Sequence, residues 1–285
     1  MKLLFNITTL GSLIFVLIAT SCKKNEISSI WRDGEIIIDG DSGEWTQDLV
    51  YNEDNNISFG IRNDAEALYM CLVTSDRELV RKIVGNGLII WLDSDGGKDR
   101  SFGIKYPVGM IGRGASAREF MGAKRDPNNR LNDDQFDLLF EQQFTELQVL
   151  AQKGKEKNMY ALKEAKEKGL EVKASMKNGI LIYEAKTPFN FDGGIAAISL
   201  DSSNPVGVGL ETPNIDLAEI RKNRSRDSSA MGGADSEGGM SGGRRGGGGR
   251  GGMGGGRGGG MGGRQEMNTS SPVKIWTTVA LAEAQ

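Results

Sequence analysis

The side chains best placed to do chemistry are carboxylates. Asp93, Asp95 and Asp99 stand in the run Asp93-Ser94-Asp95-Gly96-Gly97-Lys98-Asp99. Oxygens at alternating positions with a glycine for the bend form the early half of a calcium loop. The late bidentate glutamate of such a loop is missing, and Ile104 stands at its offset. The same residues also read as a polar hairpin turn, so calcium is the one candidate ion and the turn its competitor. The chain has no histidine. That excludes Ser-His-Asp and Cys-His nucleophile pairs, zinc sites built on imidazole, and haem held by histidine. No two acids form a distinctive catalytic pair, so the expectation is a non-enzyme. Asp133, Asp134 and Asp137 suit a helix start, where acids favour the dipole. Gly109 to Gly114 lacks the lysine and the strand-to-helix setting of a phosphate loop, so no nucleotide site is expected.

The second reactive group is a thiol. Lys2 precedes an apolar run from Leu10 to Ala19, followed by Ala19-Thr20-Ser21-Cys22-Lys23-Lys24. The run has the length of a secretory signal core and is too short to span a membrane, which takes about 20 apolar residues. Small residues before a cysteine resemble the bacterial lipobox, with Ala19 where leucine is usual. The resemblance implies cleavage before Cys22 and acylation of its sulfur. Membrane lipid is then a partner, and the cell envelope, on the outer membrane, is the expected location. Cys71 is the other cysteine. Its apolar surroundings, Leu68 to Val73, suggest a buried inert thiol, and no internal disulfide is expected.

Charge and glycine are unevenly spread. Residues 221–264 hold nine Lys or Arg against three Asp or Glu, and the remainder holds 26 against 35. A low-complexity Gly/Arg/Met insert at about 222–270 cannot bury a core and reads as a disordered, solvated loop. Arg-Gly-Gly triplets at Arg245, Arg250 and Arg257 would suggest RNA contact inside a cell. In an exported chain no nucleic-acid partner is expected.

These groups must be carried by strands. Glu35–Asp39, Ile57–Arg62, Ala67–Thr74, Gly87–Leu92, Ser101–Tyr106, Pro205–Glu211 and Val273–Leu281 are rich in strand formers and bounded by turn residues. Glu146–Ala151 reads as a strand, with an extension of the preceding helix as the alternative. Leu170–Met176 and Ile180–Thr187 flank Asn178-Gly179, a hairpin signal. Asp134–Phe144 and Tyr160–Lys168 have helical spacing. The pattern predicts an all-β, antiparallel two-sheet β-sandwich, jelly-roll or immunoglobulin-like, with one or two short helices. The expected organisation is a signal peptide over 1–21, a tether over 22–30 and one sandwich over 31–285 interrupted by the insert. Because Val273–Leu281 lies beyond the insert, the insert joins two strands.

Ile38-Asp39-Gly40 followed by Glu44-Trp45 resembles the opening of family 9 carbohydrate-binding modules and DOMON-like domains. Asn63-Asp64 with Leu68-Tyr69, Gly87-Leu88 through Trp91-Leu92-Asp93, and Tyr183-Glu184 with Thr187-Pro188-Phe189 continue the resemblance in order. It covers roughly residues 30–106 and 170–283. It implies a sandwich and a glycan ligand held on aromatic rings, whose apolar faces stack on pyranoses. Trp91 and Trp276 fall inside apolar strands and read as core. Trp31 and Trp45 are the candidate ligand-binding residues; the alternatives are that Trp45, at its family position, packs under the turn and that Trp31 covers a sheet edge. Haem, used by some DOMON-like relatives, is excluded with histidine. A binding protein is the first functional expectation. An envelope structural or assembly protein with a protein partner is the second.

Overall fold

A computed structural model describes residues 26–110, 133–214 and 272–284. The signal segment, Cys22 and the insert lie outside the described residues. The strands are β1 (Glu26–Ser28), β2 (Ile30–Trp31), β3 (Val50–Asn52), β4 (Ile57–Asn63), β5 (Ala67–Thr74), β6 (Ile89–Asp93), β7 (Phe102–Lys105), β8 (Glu146–Ala151), β9 (Glu156–Ala161), β10 (Glu171–Lys177), β11 (Ile180–Pro188), β12 (Asn190–Asp192), β13 (Ala197–Ser199), β14 (Val206–Glu211) and β15 (Lys274–Ala280). The helices are α1 (Arg77–Asn86), α2 (Asp133–Gln143) and α3 (Leu162–Glu167).

Two sheets pack face to face. Sheet A has seven strands in the order β1-β15-β14-β6-β7-β8-β9, and sheet B runs β10-β11-β5-β4-β2 with β3 also on β4. A small β12–β13 hairpin stands apart. The expected all-β sandwich is observed, and the Asn178-Gly179 hairpin joins β10 to β11 in the register Lys177↔Ile180. The insert lies between β14 and β15, which pair antiparallel from Val206↔Val279 to Glu211↔Lys274.

Period-two alternation builds the core. Leu68, Met70 and Leu72 of β5 face sheet A, where they join Ile90, Leu92, Ile104, Val149 and Val208. Ala67, Tyr69, Cys71 and Val73 point the other way. Ala67, Tyr69 and Cys71 form a second cluster on the outer face of sheet B. Strand β5 is therefore apolar on both faces because both are covered. Phe136, Phe140 and Phe144, spaced four apart, lay one face of α2 and its end into the main core.

Three expectations need correction, and one element was not expected. Glu35–Asp39 forms no strand, because its apolar residues cover sheet B from outside and do not pair with it. The expected tether 22–30 ends in structure: β1 pairs with β15 and β2 with β4. Both pairings are parallel, so the sheets are mixed and not purely antiparallel. Helix α1 went unread from the sequence, although Asp76 caps it by accepting from the Glu78 and Leu79 amides at 2.7 and 3.0 Å. Its buried Leu79, Val80, Ile83 and Val84 have helical spacing.

Candidate functional site

The outer face of sheet B is covered at one end and open at the other. The chain from Arg32 to Leu49 covers the first part. Ile36, Ile38, Trp45 and Leu49 pack on Ala67, Tyr69, Cys71 and Ile182. Glu184 fastens this cover. Its side chain is fully buried. One carboxylate oxygen accepts from the Asp39 and Gly40 amides at 3.1 and 2.7 Å, and the other from the Trp45 indole N–H at 2.8 Å. Gly40 sits at φ +84°, and an added Cβ would meet Ser175 at 2.8 Å, so only glycine fits there. Burial pushes the Glu184 carboxyl up to about 7 against the pull of its donors. Arg62 lies over the Trp45 ring at 5.4 Å and pairs with Asp48. Cys71, beneath the cover, is buried and its thiol pKa is raised by desolvation.

The motif residues Asp39, Gly40, Trp45 and Glu184 thus hold the chain to the sheet. Trp45, expected as a ligand platform, is 0% exposed. Its ring packs inward against Gly60, where a Cβ would lie 3.1 Å from it. It has no free face for a sugar: the ligand reading is corrected, and the alternative, a ring packed under the turn, is what the structure shows. Trp31 stays half-buried on β2, opposite Asn63 at the far end of β4 from the open region. The structure does not bring Trp31 and Trp45 together as a clamp. Trp91 and Trp276 lie on the outer face of sheet A, across Gly103 and Gly209, and the Trp91 indole donates to Glu211 at 3.2 Å.

The three aspartates of the candidate calcium loop do not converge either. Asp93 is buried, and its carboxylate accepts from the Asp95 and Asp99 amides at 3.1 and 2.8 Å. It closes a hairpin turn. Among the described residues no group of three or more acidic, cysteine or histidine side chains is gathered for a metal.

The open end of sheet B carries a groove of about 280 Å³. Its floor is one cross-strand row, in which Tyr51 pairs with Ser58 and Ser58 with Val73. Ile180 forms one wall, and Asn56, Thr74, Ser75 and Asp76 form the rim. Tyr51 is 56% exposed and Ile180 37%. The polar groups are set in place before any ligand arrives. The Tyr51 hydroxyl donates to the Asn56 side-chain oxygen at 3.0 Å, and the Asn56 amide donates to Asp76 at 3.1 Å. Asp76 is itself fixed as the cap of α1, and the Leu79 amide foremost holds its carboxyl below the usual range. Asn56 has φ +53°, a left-handed conformation that asparagine tolerates, and its carbonyl accepts from Thr74 Oγ1 at 2.8 Å. An exposed ring beside fixed amide, hydroxyl and carboxylate groups in a shallow cleft is suited to stacking and hydrogen bonding with a polyhydroxylated ligand.

Sequence reading missed this site. Tyr51 follows Leu49-Val50 in a three-residue edge strand, and Asn56 falls in a turn. The available signal was Tyr51, an aromatic followed at once by Asn52 and Asn55-Asn56.

No family model matches the sequence, and no curated protein matches it. Among solved structures, the chain is similar to a family 9 carbohydrate-binding module from Caldicellulosiruptor kristjanssonii in complex with glucose. Identity is 12%, the TM-score is 0.31, and the match covers 68% of this chain and 80% of that one. A complex of a family 9 module from the same organism with cellotriose matches at 13% identity and a TM-score of 0.30, over 68% of this chain and 78% of that one.

Proposed function

We propose that this chain is a non-catalytic, lipid-anchored protein of the bacterial cell envelope that binds carbohydrate in the groove of sheet B. The observation that carries the reading is the exposed Tyr51 ring, oriented by Asn56 and Asp76 beside the small floor residues Ser58 and Val73. A pyranose unit stacks its apolar face on that ring while its hydroxyls exchange hydrogen bonds with the rim. The anchor reading rests on the apolar run ending at Ser21-Cys22 and on Lys23-Lys24 after it.

Two measurements test the two halves. A glycan array probed with a Cys22→Ser form of the mature chain is expected to give saturable binding to a defined set of sugars. Silence across the array from a folded sample would sink the glycan reading and favour protein contacts. Mass spectrometry of the native N-terminus is expected to show a diacylglyceryl Cys22, and an unmodified cysteine would remove the anchor.

A further inference from the structure

The N-terminal strands settle which side of the sandwich can meet a membrane. Only Lys23, Lys24 and Asn25 separate Cys22 from β1. Four residue steps span at most about 14 Å. Strand β1 is the outer strand of sheet A. One residue later the chain enters β2, on the free edge of β4 in sheet B, where β3 also pairs. Ser29 joins the two edges. Its hydroxyl donates to the Asn63 side-chain oxygen at 2.5 Å, and the Ala282 amide donates to both residues at 2.9 Å. Strands β1, β2 and β3 therefore lie on one side of the molecule, and this side is tied to the chain terminus.

That side also carries exposed apolar side chains. Two of the seven large exposed hydrophobic side chains among the described residues, Ile30 at 43% and Val50 at 54%, stand on β2 and β3, and the Tyr51 ring turns from the same edge to the groove face. Exposed edge strands with apolar side chains invite pairing unless something covers them. We infer that the β1–β2–β3 edge rests on the bilayer surface, a conclusion that depends on acylation of Cys22. The edge sits on the headgroups; no helix among the described residues is long and apolar enough to cross a membrane. Lys23 and Lys24 add attraction to anionic headgroups of about 1 kcal/mol each. The groove then opens beside the bilayer, with Tyr51 at its membrane-proximal rim and Ile180 three strands farther away.

The test uses the mature lipidated chain in vesicles containing nitroxide-headgroup lipid. Cys71 is buried, so a single added cysteine takes the fluorophore. Val50→Cys reports the proposed contact edge. Met159→Cys, 42% exposed on β9, reports the opposite edge of sheet A, six strand spacings or about 29 Å from β1. The expected result is roughly threefold or greater excess quenching at position 50, because contact quenching does not reach across about 29 Å. Ten Gly/Ser residues inserted after Lys24 should bring position 50 down to the level of position 159. Equal quenching of the two labels in protein that floats with vesicles would overturn the orientation while leaving the anchor intact. Protein that does not float would overturn the anchor and, with it, this inference.

Discussion

The two halves of sheet B's outer face are built from the same strands and have opposite properties. On β11, Ile180 faces the groove, Ile182 lies under the cover, and Glu184 is buried beneath Gly40 and Trp45. The covered half holds a tryptophan and a carboxylate that donate and accept only within the protein. The open half holds a tyrosine and an aspartate whose remaining faces meet solvent. An aromatic ring and a carboxylate are thus not enough to mark a ligand site. What marks it is whether the ring still has a free face once the fold has formed.

The sharpest way to break this contrast is to cut the covered half. Trp45→Ala removes a fully buried indole and should destabilise the fold by about 3–5 kcal/mol, a large part of a typical domain's stability. Chemical denaturation reads it. A loss below about 1 kcal/mol would mean that the ring is not part of the core.

A smaller effect is expected at Glu184. Glu184→Gln sets an amide N–H against existing donors and should cost about 1–3 kcal/mol. The pH dependence gives a second signature. The carboxyl rises from the ordinary 4.5 to about 7 in the fold, chiefly through burial, so the folded chain holds this proton more tightly than the unfolded chain. Its stabilising contribution is complete below pH 4.5 and is lost as pH rises through about 7. Thermal scans should show the melting temperature falling across that window, and Glu184→Gln should flatten the fall. A parallel slope in both proteins would assign the titration elsewhere.

The open half should respond more mildly. Asp76→Ala removes the α1 cap, worth about 1 kcal/mol, and releases the Asn56 amide. Stability should drop by that amount, and glycan affinity should weaken a few-fold in titration calorimetry. Trp31→Ala is expected to have the least effect, with affinity unchanged, because Trp31 pairs with Asn63 and lies away from Ser58. A loss of binding there would move the site to the edge of sheet B.

Much of the sandwich was legible in the chain. Ala67–Thr74 matches β5 residue for residue, because a continuous apolar run bounded by turn residues leaves few alternatives, and Glu146–Ala151 matches β8, the strand of its two readings. Glu35–Asp39 was misread because a segment packing on a sheet from outside has the same composition as a strand within it. Strands β1, β2, β3, β12 and β13 have two or three residues each, too few for periodicity to register. The site was less legible than the fold. The motifs that resemble a known family mark where the chain is fastened to the sheet. The groove is assembled from isolated residues, Tyr51, Asn56, Asp76 and Ile180, that only strand register brings together. The acids at 93, 95 and 99 matched a metal loop in spacing, yet the buried Asp93 carboxylate turned to backbone amides for its partners.

The most direct test of the open half is titration calorimetry of Tyr51→Ala against wild type, using a sugar identified on the array. Tyr51 is exposed, so its melting temperature should match wild type closely, while affinity should fall about tenfold, or roughly 1.4 kcal/mol. Undiminished binding by a folded Tyr51→Ala protein would contradict the assignment of the groove as the carbohydrate site.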